Sequence, residues 1–368
     1  MRNQAIGYQG FAHIVRTDPG RVMASACQIP HFTQIHRWPM NTTKKRYNDF
    51  STSLRHEFGC RVQKITVDAG FSCPNRDGTL SKTGCLYCNG RGAGSGAANR
   101  GRSIEAQIRE GKARMAARYK AKKFIAYFQA FTNTYAPVEV LKRRYEDALQ
   151  DPDIVSLAIG TRPDCVDPMK LALIESYTST HTVWIEYGLQ SARDGTLRQI
   201  NRGHTVEDFV HAVDLTQGRD IRICAHVILG LPGESLQDAV RTARLLAHLR
   251  VDAVKIHNLY IEADTPLASL FKRGRYLPLS QETYVDWVIH FLEHLHPETI
   301  LQRLTGDPDP RTLIAPSWAT RKGQTLSMIT QGLEDRQTFQ GRRYSAESPL
   351  CRPLTHTGIN SHSSPARP

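Results

Sequence analysis

No apolar run in the 368 residues approaches the roughly 20 needed to span a bilayer, so a soluble protein is expected. No disulfide framework is visible either. Of 8 cysteines, Cys27, Cys60, Cys165, Cys224 and Cys351 are scattered without regular spacing, which speaks against a secreted disulfide scaffold and fits a reducing cytoplasm. Residues 1–45 lack a sustained period and the uninterrupted apolar core of a secretory signal. Disorder is expected there, with Met40 a candidate true start because the readable pattern begins just after it. Past about Arg343 apolar residues become scarce, and residues 345–368 are expected to form a second disordered tail.

The other three cysteines share one loop. Gly70-Phe71-Ser72-Cys73-Pro74-Asn75-Arg76-Asp77-Gly78, followed by Gly84-Cys85-Leu86-Tyr87-Cys88-Asn89, makes a C-x11-C-x2-C array. Glycine, proline and asparagine between the cysteines let the backbone turn back and aim the thiols together. Four converging thiolates would close a tetrahedral structural site, whereas three leave one coordination position for a substrate or cofactor. Zinc is the first competitor, because C-x2-C is a zinc half-site. A fourth local ligand is missing, however: Cys60 lies on the far side of the preceding strand, and the 35 residues after Cys88 contain neither Cys nor His. A [4Fe-4S] cluster held at three corners accounts for the open position, since its fourth iron is left to bind a chelating amino and carboxylate group.

Around this loop strands and helices alternate. Val62–Val67 reads as a strand running into the loop, and Ser103, with Gln107 and Ile104/Ile108 behind it, opens a basic helix. Further strands are read over 124–131, 154–159, 182–188, 221–229 and 253–260, with helices over 138–149, 168–177, 206–216 and 235–249. Six β-α repeats imply an α/β fold with a parallel sheet and outer helices, too few for a closed eight-stranded barrel. The fold class is therefore a partial, open (β/α)6 TIM-like barrel over 46–265, with its site at the C-terminal strand ends. A C-terminal helical extension over 266–344 would pack on it.

Two charge patterns stand out. Strands covered on both faces should be almost wholly apolar, yet Lys64, Gln129, Glu186, His226, Lys255 and His257 interrupt them, which predicts a polar cavity inside the barrel. The net charge is +13, but residues 89–123 hold ten Lys/Arg against two acids, while 124–298 hold 17 against 23. The basic block Arg100, Arg102, Arg109, Lys112, Arg114, Arg118, Lys120, Lys122 and Lys123 would draw a polyanion to the cysteine loop, not to the whole surface. A solvated basic helix is the plainer reading.

The stretches GFSCPNRDGT, GCLYCN, YFQAFTNTY, GTRPDC, WIEYGLQS, INRGHT, ILGLPGE, VKIHNLY and TLIAPSW, in this order over 46–344, resemble the YhcC-type branch of the radical S-adenosylmethionine (SAM) superfamily. The superfamily's usual spacing is C-x3-C-x2-C. The longer first gap here is similar to the radical SAM subunit of Elongator, a tRNA wobble-uridine modifying enzyme.

The resemblance implies that Cys73, Cys85 and Cys88 bind a [4Fe-4S] cluster and that Tyr87 lies next to the SAM adenine. Gln129 begins the segment in the place of the superfamily's glycine-rich stretch for the SAM amino group, although it lacks those glycines and the acid. Arg162 and Asp164 are candidates for the SAM carboxylate, Glu186 and Gln190 for the ribose, and Gly230, Gly233 and Glu234 for the approach to the adenine. Arg162 pairing only with Asp164, and Gly230 with Pro232 making only a turn, are the plain alternatives.

The implied reaction is reductive cleavage of SAM to a 5′-deoxyadenosyl radical that abstracts hydrogen. An electron donor such as flavodoxin or ferredoxin is implied with it. Three functions are carried forward: tRNA wobble-uridine modification, radical chemistry on a small molecule or protein, and a non-catalytic metal-stabilised nucleic-acid-binding protein. Cys165, beside the third strand end, reads as a small core residue or a cavity thiol, and Cys224 as packing.

Overall fold

Apolar runs and capped amphipathic helices alternate along the chain, and the computed structural model, which describes residues 45–90, 92, 97–98 and 101–345, arranges them around one sheet. The expectations for Cys27, Met40, Arg100, Cys351 and nearly all of both tails lie outside the described residues. Helix α1 (Phe50–Phe58) leads to β1 (Val62–Val67), and after the cysteine loop come α2 (Ile104–Tyr119) and β2 (Lys123–Phe128). Next follow α3 (Val138–Leu149), β3 (Ile154–Thr161), α4 (Pro168–Glu175), β4 (Thr182–Gln190), α5 (Asp194–Gln199), α6 (Val206–Thr216) and β5 (Arg222–Leu229). The chain continues through α7 (Leu236–His248), β6 (Ala253–Asn258), β7 (Ile261–Glu262), α8 (Pro266–Lys272), α9 (Gln281–His294), β8 (Ile300–Arg303), β9 (Leu313–Ala315) and α10 (Lys322–Asp335).

Seven parallel strands in the order β1-β2-β3-β4-β5-β6-β8 curl into an open half-barrel. That is one strand more than the six read from the pattern. The extra strand, β8, is only four residues long and half polar, so it carries no periodic signal of its own. It is held by β6 on one side. On the other, the Leu301 amide donates to the Asn48 carbonyl at 2.7 Å, which covers an otherwise open edge.

The two faces of the sheet differ in kind. The outer face, including Ile65, Phe128, Ile159, Ile185, Val227 and Ile256, packs under the helices as the main core. The inner face is apolar only at its floor, where α1 lays Phe50 and Leu54 against Trp184, Ala158, Cys224 and Ile300. Phe50 meets the Trp184 ring edge-on, with centroids 5.6 Å apart. Above this floor the inward positions are polar, as the interrupted strands predicted.

Helix α2 is fixed to the start of the cysteine loop by its first turn. Ser103 Oγ accepts the Ala106 amide at 3.2 Å. Gln107 lies buried and grips the strand end instead: its Nε2 donates to the Asp68 carbonyl and its Oε1 accepts the Asp68 amide, both at 2.8 Å. The same residues that start the helix thus set where the loop leaves β1.

Candidate functional site

The cysteine loop is a stitched structure of turns. The Arg76 and Asp77 amides both donate to the Cys73 carbonyl, at 2.8 and 3.1 Å, and the Cys88 amide donates to Cys85 at 3.0 Å. Gly84, just before the second cysteine, has φ +74°, and a Cβ there would come within 3.1 to 3.3 Å of the Arg76 guanidinium. Only glycine meets both demands without strain. Arg76 uses its place to donate to the Asn89 carbonyl at 2.5 Å and the Cys88 carbonyl at 3.2 Å. The loop is tied to the barrel top by Leu86 N to Ile200 O at 2.9 Å and Leu267 N to Leu86 O at 3.0 Å.

Under the loop lies a cavity of about 550 Å³ at the C-terminal strand ends. Cys73, Cys85 and Cys88 line it together with Tyr87, Gln129, Arg162, Glu186 and Gln190. Eight of the residues that the resemblance implies for the cluster and SAM therefore meet at one place, together with His226, Lys255 and His257 from the interrupted strands. Gln190 follows a register shift in the β4–β5 pairing and has φ +72°, a break in the strand at the cavity wall. Asp164, Gly230, Gly233 and Glu234 are not among the lining residues.

Asp164 makes a two-pronged pair with Arg162, Nε to Oδ1 at 2.9 Å and Nη2 to Oδ2 at 2.7 Å, while Arg162 Nη1 donates to the Arg202 carbonyl at 2.7 Å. The Gly230 turn is covered by Leu279, 3.1 Å from where a Cβ would sit, and by Tyr276, whose hydroxyl donates to the Gly230 carbonyl at 2.8 Å. Glu234 lies beside Ser191, whose hydroxyl donates to it, and burial pushes its carboxyl up to about 7. Cys165 is buried outside the cavity, with its thiol pushed up to about 12 by burial.

Arg202, in the INRGHT segment, had no role assigned from the sequence. It is buried, and its Nη1 approaches Cys85 Sγ at 3.5 Å while its Nη2 donates to the Gly188 carbonyl at 3.0 Å. Asn75 Nδ2 approaches the same sulfur at 3.4 Å. Burial alone would push the Cys85 thiol up, but the Arg202 guanidinium, with Arg162 behind it, offsets this and holds it below the usual thiol range. Burial, with Cys85 as a neighbour, pushes the Cys88 thiol up. His204 is held neutral, down to about 3, by burial and by Arg202, whose Nε donates to His204 Nε2 at 2.9 Å.

The polar strand residues form a cluster at the cavity floor. Glu186, wholly buried, accepts Lys64 Nζ on one oxygen at 2.5 Å, and Lys255 Nζ at 2.5 Å and His226 Nε2 at 2.7 Å on the other. Burial would raise this carboxyl, but Lys255 and Lys64 hold it well below the usual range. His226 is pushed down to about 4 by burial and Lys255, so it is neutral and donates its Nε2 proton to Glu186. Glu186, Cys224 and His226 place ligand atoms within 4.8 Å of one another. Two ammonium groups already share that carboxylate, so the trio is an ion cluster and not a metal centre.

Among buried side-chain atoms of the cavity wall, Asn75 Oδ1, Arg76 Nε and Thr132 Oγ1 have no partner among the described residues. Partnerless buried polar atoms beside three thiols suit a metal-sulfur group and a polar cofactor.

Comparison with known proteins agrees. A family model described as the radical SAM superfamily matches residues 73–246, and one described as the radical SAM C-terminal domain matches 251–335. YtqA of Bacillus subtilis is 39% identical over 86% of this chain and 99% of its own length. YhcC of Escherichia coli K12 is 37% identical over 76% of this chain and 89% of its own. A tRNA uridine(34) acetyltransferase of Methanocaldococcus infernus is 27% identical over 44% of this chain and 30% of its own. The structure of archaeal Elp3 from the same organism superposes with a TM-score of 0.59 at 17% identity, over 77% of this chain and 65% of that one. On the strength of the long YtqA and YhcC alignments, this chain belongs to the radical SAM superfamily, on the YhcC-type branch related to Elongator.

Proposed function

We propose that Cys73, Cys85 and Cys88 hold a [4Fe-4S] cluster, that SAM binds in the cavity beneath it, and that this enzyme modifies a tRNA wobble uridine. The observation that carries the reading is the convergence of three loop cysteines with Tyr87, Gln129, Arg162, Glu186 and Gln190 on one cavity. Radical SAM enzymes use a [4Fe-4S] cluster and SAM as cofactors. When bound and reduced, the cluster supplies the electron that splits SAM into methionine and a 5′-deoxyadenosyl radical.

The chain's own residues prepare the chamber for this. Arg202 and Asn75 direct positive charge and a polar hydrogen at Cys85, which favours its thiolate. Arg162, locked by Asp164, offers a fixed cation at the wall. Tyr87 lines the cavity from the loop side, and the apolar cluster of Phe50, Leu54 and Trp184 closes the opposite end of the sheet's inner face.

The RNA substrate is supported by two observations. Relatives whose name is tRNA uridine(34) acetyltransferase align with 44% of this chain at 26 to 27% identity. Arg109, Arg114, Arg118, Lys120 and Lys122 lie exposed on and just after the helix that follows the cysteine loop. A flavodoxin- or ferredoxin-type donor in the cytoplasm would supply the electron. Among the described residues no helix is long and apolar enough to cross a membrane.

Anaerobic iron-sulfur reconstitution tests the chemistry. The reduced protein should turn brown and release 5′-deoxyadenosine from SAM, and Cys85→Ala should do neither. Equal behaviour of the two proteins would overturn the reading. Nucleoside profiling of tRNA from a deletion strain by mass spectrometry tests the substrate: an unchanged wobble-uridine profile would remove tRNA.

A further inference from the structure

The floor of the cavity carries more positive charge than it neutralises. Lys255 on β6 and Arg303 on β8 are register partners on neighbouring parallel strands, and both line the cavity. Like charges facing each other across strands repel. The carboxylate beside them, Glu186, is already shared by Lys64 and Lys255. Arg303 gets no relief: Nη1 donates to the neutral ring of His257 at 2.8 Å, and among the described residues it has no ion-pair partner. Lys64, Lys255 and Arg303 thus stand beside one buried carboxylate, and burial, with Lys64 as a neighbour, holds the Lys255 ammonium down to about 8.

The polar atoms at this end are also the wrong kind to satisfy one another. Asn258, at the end of β6, is 2% exposed and lines the cavity. Its Oδ1 accepts the Gly306 amide at 2.6 Å and the Thr305 hydroxyl at 3.0 Å, which leaves Nδ2 buried without an acceptor among the described residues. The wall behind it is tight, since a Cβ on Gly306 would fall within 2.9 Å of Tyr260, Asn258 and His257. Among the described residues the Asn258 amide thus has no acceptor and the Arg303 guanidinium meets a neutral imidazole and no carboxylate, although Glu262, Asp307 and Asp309 line the same cavity.

We propose that the β6–β8 side of the cavity is an anion pocket in which Arg303, Lys255 and Asn258 hold a carboxylate or phosphate group carried by the substrate. The proposal rests on reading the cavity as the reaction chamber, and it narrows the substrate to a molecule with an anionic oxygen group on the part that enters. Arg303 provides a planar fork for two of the anion's oxygens, Asn258 Nδ2 orients it, and Lys255 supplies charge from the floor. With the anion seated, the facing cations are neutralised.

The test is ligand binding, which needs no turnover. The anaerobically reconstituted protein is titrated at constant ionic strength with succinate, uncharged succinamide and inorganic phosphate, read by thermal shift. Succinate or phosphate should raise the melting temperature saturably and succinamide should not, and the stronger of the two identifies the anion. Arg303→Gln should weaken that binding by about tenfold or more. Arg303→Lys, which keeps the charge but loses the fork, should fall between, and SAM affinity by equilibrium dialysis should stay within about twofold in both. Equal shifts from succinate and succinamide would overturn the proposal. So would anion binding that ignores Arg303→Gln, which means an adventitious ion only, or a parallel loss of SAM affinity, which would assign these donors to SAM. Failure of the radical reading itself would appear separately, as absence of 5′-deoxyadenosine with anion binding intact.

Discussion

The Arg202 guanidinium bridges Cys85 Sγ, at 3.5 Å, and the Gly188 carbonyl at the end of β4, at 3.0 Å. One side chain thus holds a metal-ligand candidate in the loop against the sheet that forms the cavity. Its charge is also the main influence opposing the effect of burial on Cys85.

Replacing Arg202 by Gln should therefore damage both the loop and its metal. The Gly188 carbonyl and His204 Nε2 lose a buried donor, at about 1–3 kcal/mol for each group left unpaired. We expect a lower melting temperature of the apoprotein and less iron and sulfide retained per chain after reconstitution. Wild-type iron content in a folded Arg202→Gln protein would show that the guanidinium serves the fold alone.

Glu186 is the counterion of the buried Lys255 and the half-buried Lys64, so its removal should cost more than the removal of a surface acid. Glu186→Gln leaves Lys64 and Lys255 facing each other unneutralised, a loss of about 3–5 kcal/mol. The double variant Glu186→Gln with Lys255→Met should recover part of that, a non-additivity that a denaturant cycle measures directly. The pH dependence follows from the depressed carboxyl. Its stabilisation is present above the ordinary carboxylate range and is lost as pH falls through its own lower value. Acid denaturation of Glu186→Gln should accordingly be shallower than that of the wild type.

The cysteine loop was legible because its information is local: spacing and turn residues lie within one stretch of chain. The polar interior was legible too, since charges at Lys64, Glu186 and Lys255 have no other place in strands covered by helices. Long-range partners were not. Arg202 reaches Cys85 across 117 positions from a segment with no periodic pattern. The hydrogen bond to the Gly230 carbonyl comes from Tyr276, 46 residues later in the chain. Strand β8 is four residues long, and only its neighbours make it a strand.

Glu234 gives a prediction of opposite sign. Its carboxyl is pushed up to about 7, first by burial, so the folded state binds a proton that the unfolded chain has already released. Stability should fall as pH rises from the ordinary carboxylate range to about 7, by roughly 1–3 kcal/mol in all. Glu234→Gln removes the titration while keeping an acceptor for Ser191. Urea unfolding should then find the variant more stable than wild type at alkaline pH and not at acid pH. The same difference at both pH values would mean that the carboxyl titrates normally.

The basic helix offers a test of the RNA reading that does not depend on catalysis. Arg109, Arg114 and Arg118 are exposed on α2, and among the described residues none of them is in an ion pair. Contacts of this kind act through counterion release, so each lost phosphate contact flattens the dependence of log K on log salt by about 0.7–0.9. The triple replacement by Gln should weaken tRNA binding at low salt and reduce the salt slope by roughly 2–3, with SAM affinity untouched. Because these side chains meet phosphates and not bases, the loss should be the same for every tRNA tested. An unchanged slope would mean that the positive charge of α2 is a solvated helix face, and that whatever enters the cavity is recognised inside it.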